Sequence, residues 1–285
     1  MSKDQPKVVV CLPCYNAELF IKRTLESLKN QTYSNFTVLI SDDKSTDQTV
    51  SLIKSLVGTD ERFQLIEQKQ NLGWLDHVDF LLEQASGEGK YTFIIPHDDI
   101  IEVSYIAKLV EALENNPDAV LSFSDMNFND RDPSEIASYT ALGKVKSRQK
   151  RLEKLLEKEQ LWWIAYRGLM RADLIPEIIP SQKNLFGNRE YAADWFLLIR
   201  LAMFGEFVRV PEVLYTKYYH EKNKSHSFKH THLNHLSNLL TFFVMLFRSP
   251  IEWNEKLKLQ TKIIQNSIKR LVLMTGVGNF LIKKK

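Results

Sequence analysis

Phe36-Thr37-Val38-Leu39-Ile40-Ser41-Asp42-Asp43 and Tyr91-Thr92-Phe93-Ile94-Ile95-Pro96-His97-Asp98-Asp99 share one design: an apolar run rich in strand formers that closes on two adjacent aspartates. Short runs of this kind, bounded by turn residues, read as buried strands. If the two strands are parallel, both aspartate pairs fall at the carboxyl edge of one sheet, where open α/β folds bind their ligands. Carboxylates gathered there raise each other's pKa unless a cation or a set of donors answers them. The pattern predicts a divalent metal and a phosphate-bearing substrate.

Outward from these two runs, strand and helix signals alternate. Val8 to Leu12 reads as a strand, and Ala17 to Asn30 as a helix with Leu19, Ile21, Leu25 and Leu28 on its apolar face. Ser45 and Thr46 are placed to cap a helix through Val50, Ile53 and Leu56, and Arg62 to Glu67 is a further short strand. Trp74 to Leu82 is an amphipathic helix ended by Gly87 and Gly89; the helix Val103 to Glu114 and the strand Ala119 to Ser124 follow Tyr91 to Ile95. Such alternation predicts an α/β fold with a mostly parallel central sheet flanked by helices.

Asn127 to Lys146 is polar and rich in turn residues, and loops of this length in compact domains are usually functional; it is a candidate lid. Leu161 to Tyr166 reads as a buried strand, Arg171 to Ile175 as the start of a short helix, and Tyr191 to Phe204 as a helix with Trp195, Leu198, Ile199 and Ala202 on its apolar face. Strands at Phe207 to Val210 and Val213 to Tyr218 follow, and the remainder from about Thr231 reads as two helices separated by Ser249-Pro250. The expected organisation is a ligand-binding half over 1–125, a second half of the same domain over 126–229, and a C-terminal helical extension over 230–285.

With 285 residues the chain can bury a sizeable core, and a net charge of only +3 gives no global reason to expect nucleic acid as a partner. No segment reads as a signal peptide, and the apolar run Leu239 to Phe247 is too short to span a bilayer, so a cytoplasmic protein is expected. Cys11 and Cys14 form Cys-Leu-Pro-Cys between a strand and a helix, the setting of a redox pair, but buried cysteines are more often inert packing and that reading is favoured.

Five segments carry a resemblance: Val8-Val9-Val10-Cys11-Leu12-Pro13-Cys14-Tyr15-Asn16, Leu28-Lys29-Asn30-Gln31-Thr32-Tyr33, Ile40-Ser41-Asp42-Asp43-Lys44-Ser45-Thr46-Asp47, Asn71-Leu72-Gly73 and His97-Asp98-Asp99. In this order and spacing they resemble the signature of the family-two inverting glycosyltransferases. The resemblance covers roughly the first 125 residues well and runs more loosely to Asp194 and His220. It implies a GT-A fold, a nucleotide-sugar donor and Mg2+ or Mn2+.

The resemblance also implies roles. Pro13, Tyr15 and Asp43 fall where the family contacts the nucleotide; a carboxylate, an acceptor only, suits the imide N–H of a uracil-like base. Asp98 takes a nucleotide or ribose contact and Asp99 the direct metal ligation, although Pro96 stands where the family's first metal-motif aspartate commonly sits. Hard cations accept one or two carboxylates and complete their shell with water and substrate phosphate. His220 is the counterpart of a terminal histidine that joins the metal shell or the diphosphate; Tyr219 replaces the arginine before it, leaving Lys217, Lys222 or Lys224 for charge neutralisation. Asp194 resembles the catalytic base, with Ala193 in place of the usual glutamate. Trp162, Trp163, Tyr166 and Arg167 are candidates for a sugar-stacking acceptor surface.

Leu236, Leu239, Leu240, Phe243, Val244 and Phe247 recur at helical spacing, with lysines decorating the next helix. The stripe is compatible with a membrane surface, with packing on the main domain or with a dimer. A glycosyltransferase acting on a glycan or lipid-linked acceptor, cytoplasmic or peripheral on the cytoplasmic face of the membrane, is the leading expectation. A nucleotidyltransferase and a non-catalytic nucleotide- or glycan-binding relic are the alternatives.

Overall fold

The structure, a computed structural model, describes residues 5–132, 134–143, 145–157, 161–220 and 231–274, with side chains described as far as 268. Among the described residues, eight strands form one sheet: β1 (Val8–Cys14), β2 (Phe36–Asp42), β3 (Phe63–Glu67), β4 (Tyr91–Ile94), β5 (Ile100–Ile101), β6 (Ala119–Phe128), β7 (Leu169–Arg171) and β8 (Glu206–Lys217), in the order β3-β2-β1-β4-β7-β6-β8-β5. β1 is parallel to β2 and β4, and β2 to β3. β7 lies antiparallel between β4 and β6, and β8 is parallel to β6. Six strands, β1, β2, β3, β4, β6 and β8, therefore run one way, while β5 and β7 run the other. The mostly parallel sheet expected from the alternation is present. Its two reversed strands, two and three residues long, are too short to leave a periodic signal.

Successive strand residues point to opposite faces, so burial at every position of β1 requires cover on both sides of the sheet. That cover comes from α1 (Ile21–Lys29), α2 (Thr49–Val57), α3 (Trp74–Ala85), α4 (Tyr105–Glu114), α5 (Arg148–Glu157), the short α6 (Ile175–Ile178) and α7 (Ala193–Phe204). α7 is apolar nearly all round, and Phe196, Leu197 and Leu201 are buried as fully as the expected Trp195, Leu198, Ile199 and Ala202. Such a helix belongs inside a fold rather than on it. Two further helices, α8 (His232–Arg248) and α9 (Trp253–Met274), complete the described chain.

Three local expectations give way. Leu161 to Tyr166 is not a strand: Leu161 adopts φ +74° and Trp162–Arg167 follows as a 3-10 turn, a choice that a short apolar run cannot reveal by periodicity. The two strands expected over 207–218 are one, interrupted where Asp125 pairs with Val213 directly after Ser124 has paired with Val210. Pro211, which has no N–H to give a ladder, sits in that bulge. The candidate lid divides: 129–132 and 134–136 are exposed, whereas Ala137 pairs with Met126, and Tyr139 and Leu142 are buried. Ser45 and Thr46 do not cap α2, which begins at Thr49; Asp47 instead accepts from the Thr49 N–H at 3.0 Å.

Gly168 lets the 3-10 turn lie directly on β6, since a Cβ there would stand 2.4 Å from the Ser122 carbonyl oxygen. Gly168→Ala is expected to cost about 1–3 kcal/mol through overpacking. A thermal melt checks this: the melting temperature should fall by several degrees, and an unchanged value would show that β6 yields freely.

Candidate active site

Cys14 lies in register with Asp42, and Cys11 with Ile94, so Tyr15, Asp43 and Asp98 all leave the sheet on one rim. Asp43 is 3% exposed, and its carboxylate accepts from the Leu72 N–H at 2.7 Å and the Gly73 N–H at 3.1 Å. The aspartate after β2 and the Asn71-Leu72-Gly73 segment, far apart in the chain, are thus bonded to each other. Gly73 makes this possible with φ +79°, a conformation that penalises other residues. The neighbouring Asp42 closes its own turn, accepting from Ser45 N–H at 2.9 Å, and the Asn16 side chain accepts from Thr46 N–H at 2.9 Å. Buried Pro13 offers its carbonyl to the His97 ring at 3.3 Å, while Tyr15 is 46% exposed beside it.

The aspartate pair after β4 divides its labour. Asp99 is fully buried; Tyr215 Oη donates to one carboxylate oxygen at 2.6 Å and the Tyr218 N–H to the other at 2.9 Å. Arg167 Nε lies 3.5 Å away, and the Asp99 carbonyl accepts from Thr24 Oγ1 at 2.8 Å. Asp99, expected as the direct metal ligand, is instead enclosed by protein donors. Its neighbour Asp98 faces His220, with Oδ2 and Nε2 2.9 Å apart, and the His220 ring stacks on Phe20 with centroids 4.0 Å apart. Burial alone would push the Asp98 carboxyl up, but His97, Lys217, the His220 contact and Arg167 hold it below the usual carboxylate range. Burial pushes Asp99 up, against the pull of Lys217 and Arg167.

Two cations stand behind the pair. Burial works against the charge on Arg167, but the neighbouring Asp99 and Asp98 carboxylates outweigh it and keep the guanidinium charged. Lys217 is 8% exposed, with its ammonium 5.1 Å from the Tyr219 ring and 5.9 Å from the Trp163 ring. Burial, then Arg167, lowers its pKa. Lys222 and Lys224 lie outside the described residues.

Asp194 is half-buried in the first turn of α7, with the Trp195 N–H donating to it at 2.9 Å. Glu190, four residues earlier, accepts from the Leu75 N–H at 3.4 Å just beyond the Gly73 turn, so it is the segment before α7 that meets the rim. Of the expected acceptor surface, Tyr166 is buried core, whereas Trp162 and Trp163 are half-buried, with Trp163 packed 6.1 Å from the Phe128 ring.

The sequence profile of glycosyl transferase family 2 matches residues 9–194. The chain belongs to that family. An uncharacterized glycosyltransferase of Haemophilus influenzae is 38% identical over 111 residues, covering 39% of this chain and 34% of the relative. Across the first curated relatives the match spans 34% to 63% of their length. Among solved structures, S. aureus TarS in complex with UDP-GlcNAc aligns with a TM-score of 0.71 at 17% identity, over 92% of this chain and 73% of that one. The mannosyltransferase PcManGT from Pyrobaculum calidifontis, in complex with GDP-Man and Mn2+, aligns at 0.55 and 15% identity, over 98% and 81%. At these identities the likeness establishes the fold, which is GT-A.

Within this family 2 chain the Cys-Leu-Pro-Cys segment is structural. Both cysteines are free and buried, and burial pushes the Cys11 thiol up to about 12 and Cys14 well above its usual value. A thiol so protonated is no nucleophile at neutral pH. The sequence reading passed over Phe20, Tyr215 and His77. Tyr215 alternates inward along β8 and was legible as a strand residue, but nothing in the sequence ties it to Asp99. His77 lies on α3, 4.0 Å from Asp43, and burial lowers its pKa, so it faces Asp43 as a neutral ring.

Proposed function

We propose that this chain is an inverting glycosyltransferase that moves a sugar from a nucleoside-diphosphate sugar, UDP-sugar favoured, to a hydroxyl of a glycan or lipid-linked acceptor in the synthesis of surface polysaccharide, lipopolysaccharide or glycolipid. The observation that carries this reading is the convergence of Asp98, His220, Lys217 and Arg167 on the rim where Asp43 also leaves the sheet. TarS with UDP-GlcNAc and PcManGT with GDP-Man support a nucleotide-sugar donor.

Asp98 and His220 fit a hard divalent cation, whereas Asp99 does not. Asp98 Oδ2 and His220 Nε2, 2.9 Å apart, would offer the cation a carboxylate oxygen and an imidazole nitrogen, with the rest of its shell left to water and substrate phosphate. Mg2+ or Mn2+ held there would offset the charge that develops on the departing diphosphate. Asp99, with both oxygens already accepting protein donors, braces the pair by fixing Tyr218 just upstream of His220. Asp43 keeps lone pairs beyond the two used on Leu72 and Gly73 and accepts the base imide. Pro13 and the exposed Tyr15 flank the base.

In transfer with inversion, the acceptor oxygen forms a bond to the anomeric carbon as the bond from that carbon to the phosphate oxygen breaks. The acceptor proton passes to Asp194 and the electron pair leaves with the nucleoside diphosphate. Lys217 supplies fixed positive charge for that product, and a desolvated cation is worth more there than in water. Lys217→Met is therefore expected to weaken UDP binding about tenfold, the scale of one charged hydrogen bond, and to leave uridine binding unchanged. Calorimetry with both ligands tests it; equal losses for both would place Lys217 outside the phosphate site.

The whole reading is tested by titrating a panel of nucleoside diphosphates with and without Mn2+, followed by a donor-hydrolysis screen. Failure of every diphosphate to bind rejects the donor site. Tight binding with no hydrolysis and no transfer would favour a non-catalytic member, the reading that Pro96 and Ala193 motivate.

A further inference from the structure

α8 packs one face on the protein body, where Phe242, Met245 and Leu246 are buried. Its inward face carries Asn234, Ser237 and Thr241, and each is spent on the loop before α7: Asn234 Oδ1 accepts from Asn188 N–H, Ser237 Oγ from Phe186 N–H and Thr241 Oγ1 from Leu185 N–H, all at 3.1 Å. Its outward face carries Leu236, Leu240 and Phe247, exposed by 50%, 38% and 62%. These three lie away from the protein body, where a surface helix ordinarily puts its polar residues, while Leu239 and Phe243 of the same stripe pack partly against the core. α9 repeats the arrangement with Trp253, Leu257 and Ile264 exposed by 59%, 58% and 42%. The two stripes meet at the corner between the helices, where the Phe247 and Trp253 rings stand edge to face, 5.7 Å apart. Lys256 pins that corner by donating to the Phe247 carbonyl at 2.9 Å.

We infer that this outward face of α8 and α9 is a docking surface for an anionic lipid bilayer. Contiguous exposed apolar side chains of this size mark an interaction site. Charge selects the occupant. Residues 231–274 hold six Lys or Arg, among them Arg248 and Lys258, against two Glu; Glu255 is paired with Arg148 at 2.6 Å and Lys262 with Glu157 at 3.0 Å, which leaves the segment's net positive charge in place. A second copy of the chain would bring two such positive segments together, whereas an anionic lipid surface attracts both the charge and the apolar stripe. The corner aromatics, with an apolar body and a wide rim, suit the headgroup level. Among the described residues no helix is long and apolar enough to cross a membrane, so the helices lie on the surface rather than span it.

Flotation of the full chain with phosphatidylcholine vesicles, with and without phosphatidylglycerol, tests the inference against a variant combining Leu236→Ser, Leu240→Ser, Phe247→Ser and Trp253→Ser. The wild type should float with the anionic vesicles and not with the neutral ones. The variant should bind at least about tenfold less, because four large apolar side chains no longer partition. Its melting temperature and UDP affinity should match the wild type, which separates loss of docking from loss of fold and from failure of the donor site. Absence of flotation by the wild type overturns the inference. So does a wild-type dimer in light scattering that the variant dissolves, since the occupant would then be a second copy.

Discussion

Asp194→Asn should lower transfer by at least about a hundredfold, the lower end of what a positioned general base contributes, and leave UDP affinity unchanged. Asparagine is nearly isosteric and keeps a side-chain oxygen for the Trp195 N–H, which donates to Asp194 at 2.9 Å, so the first turn of α7 is preserved. What disappears is the capacity to take a proton. The competing role for a carboxylate in the first turn of a helix is interaction with the helix dipole, worth about 0.3–1 kcal/mol. That role predicts a small fall in melting temperature and a few-fold change in rate. The two accounts differ by more than a factor of ten in turnover, and steady-state kinetics beside a thermal melt decides between them. Retention of most of the activity would remove Asp194 from the mechanism and direct attention to Glu190, which reaches the Gly73 turn from the same loop.

The rim was legible in sequence because parallel strands put chemically meaningful residues at their carboxyl ends, and the two Asp-Asp pairs are directly attached to the strands that locate them. Register confirms this at the level of single residues: Cys14 beside Asp42 brings the Tyr15 loop next to Asp43. What sequence could not resolve was the choice within a pair. Asp98 and Asp99 are adjacent and chemically identical, and their difference arises from partners far away in the chain, Tyr215 and Tyr218 for one and His220 for the other. No local pattern encodes such long-range pairing. The same limit hid β5 and β7, which exist because longer neighbours accept them, and it hid the orientation of α8. There the leucine stripe was visible, but the polar residues that hold the helix to the loop over 185–188 were not recognised as its inner face.

Asp98→Asn and Asp99→Asn should therefore fail in different ways, and the contrast identifies the carboxylate that meets the cation. At Asp98 the substitution removes the negative charge beside His220 while the surrounding packing is kept. The Mn2+-dependent part of UDP binding should fall at least about tenfold, since a hard cation loses its charged protein ligand, and the melting temperature should fall as well, because the carboxylate that His97, Lys217, His220 and Arg167 hold ionised is gone. At Asp99 the amide nitrogen must face either Tyr215 Oη or the Tyr218 N–H, both of which now donate to the carboxylate at full burial. With its oxygen kept for the Tyr218 N–H, the amide can donate to Tyr215 Oη, but the buried Tyr215 proton then loses its carboxylate acceptor, and Arg167 loses the nearest of its counter-charges. Breaking a buried arrangement of this kind costs about 3 kcal/mol, so Asp99→Asn should melt markedly earlier than Asp98→Asn. Titration of Mn2+ against UDP affinity, run at a temperature where both variants are folded, supplies the second axis. The assignment of the cation to Asp98 fails if Asp99→Asn abolishes Mn2+ dependence while keeping the wild-type melting temperature, because a buried brace cannot be removed without cost to the fold.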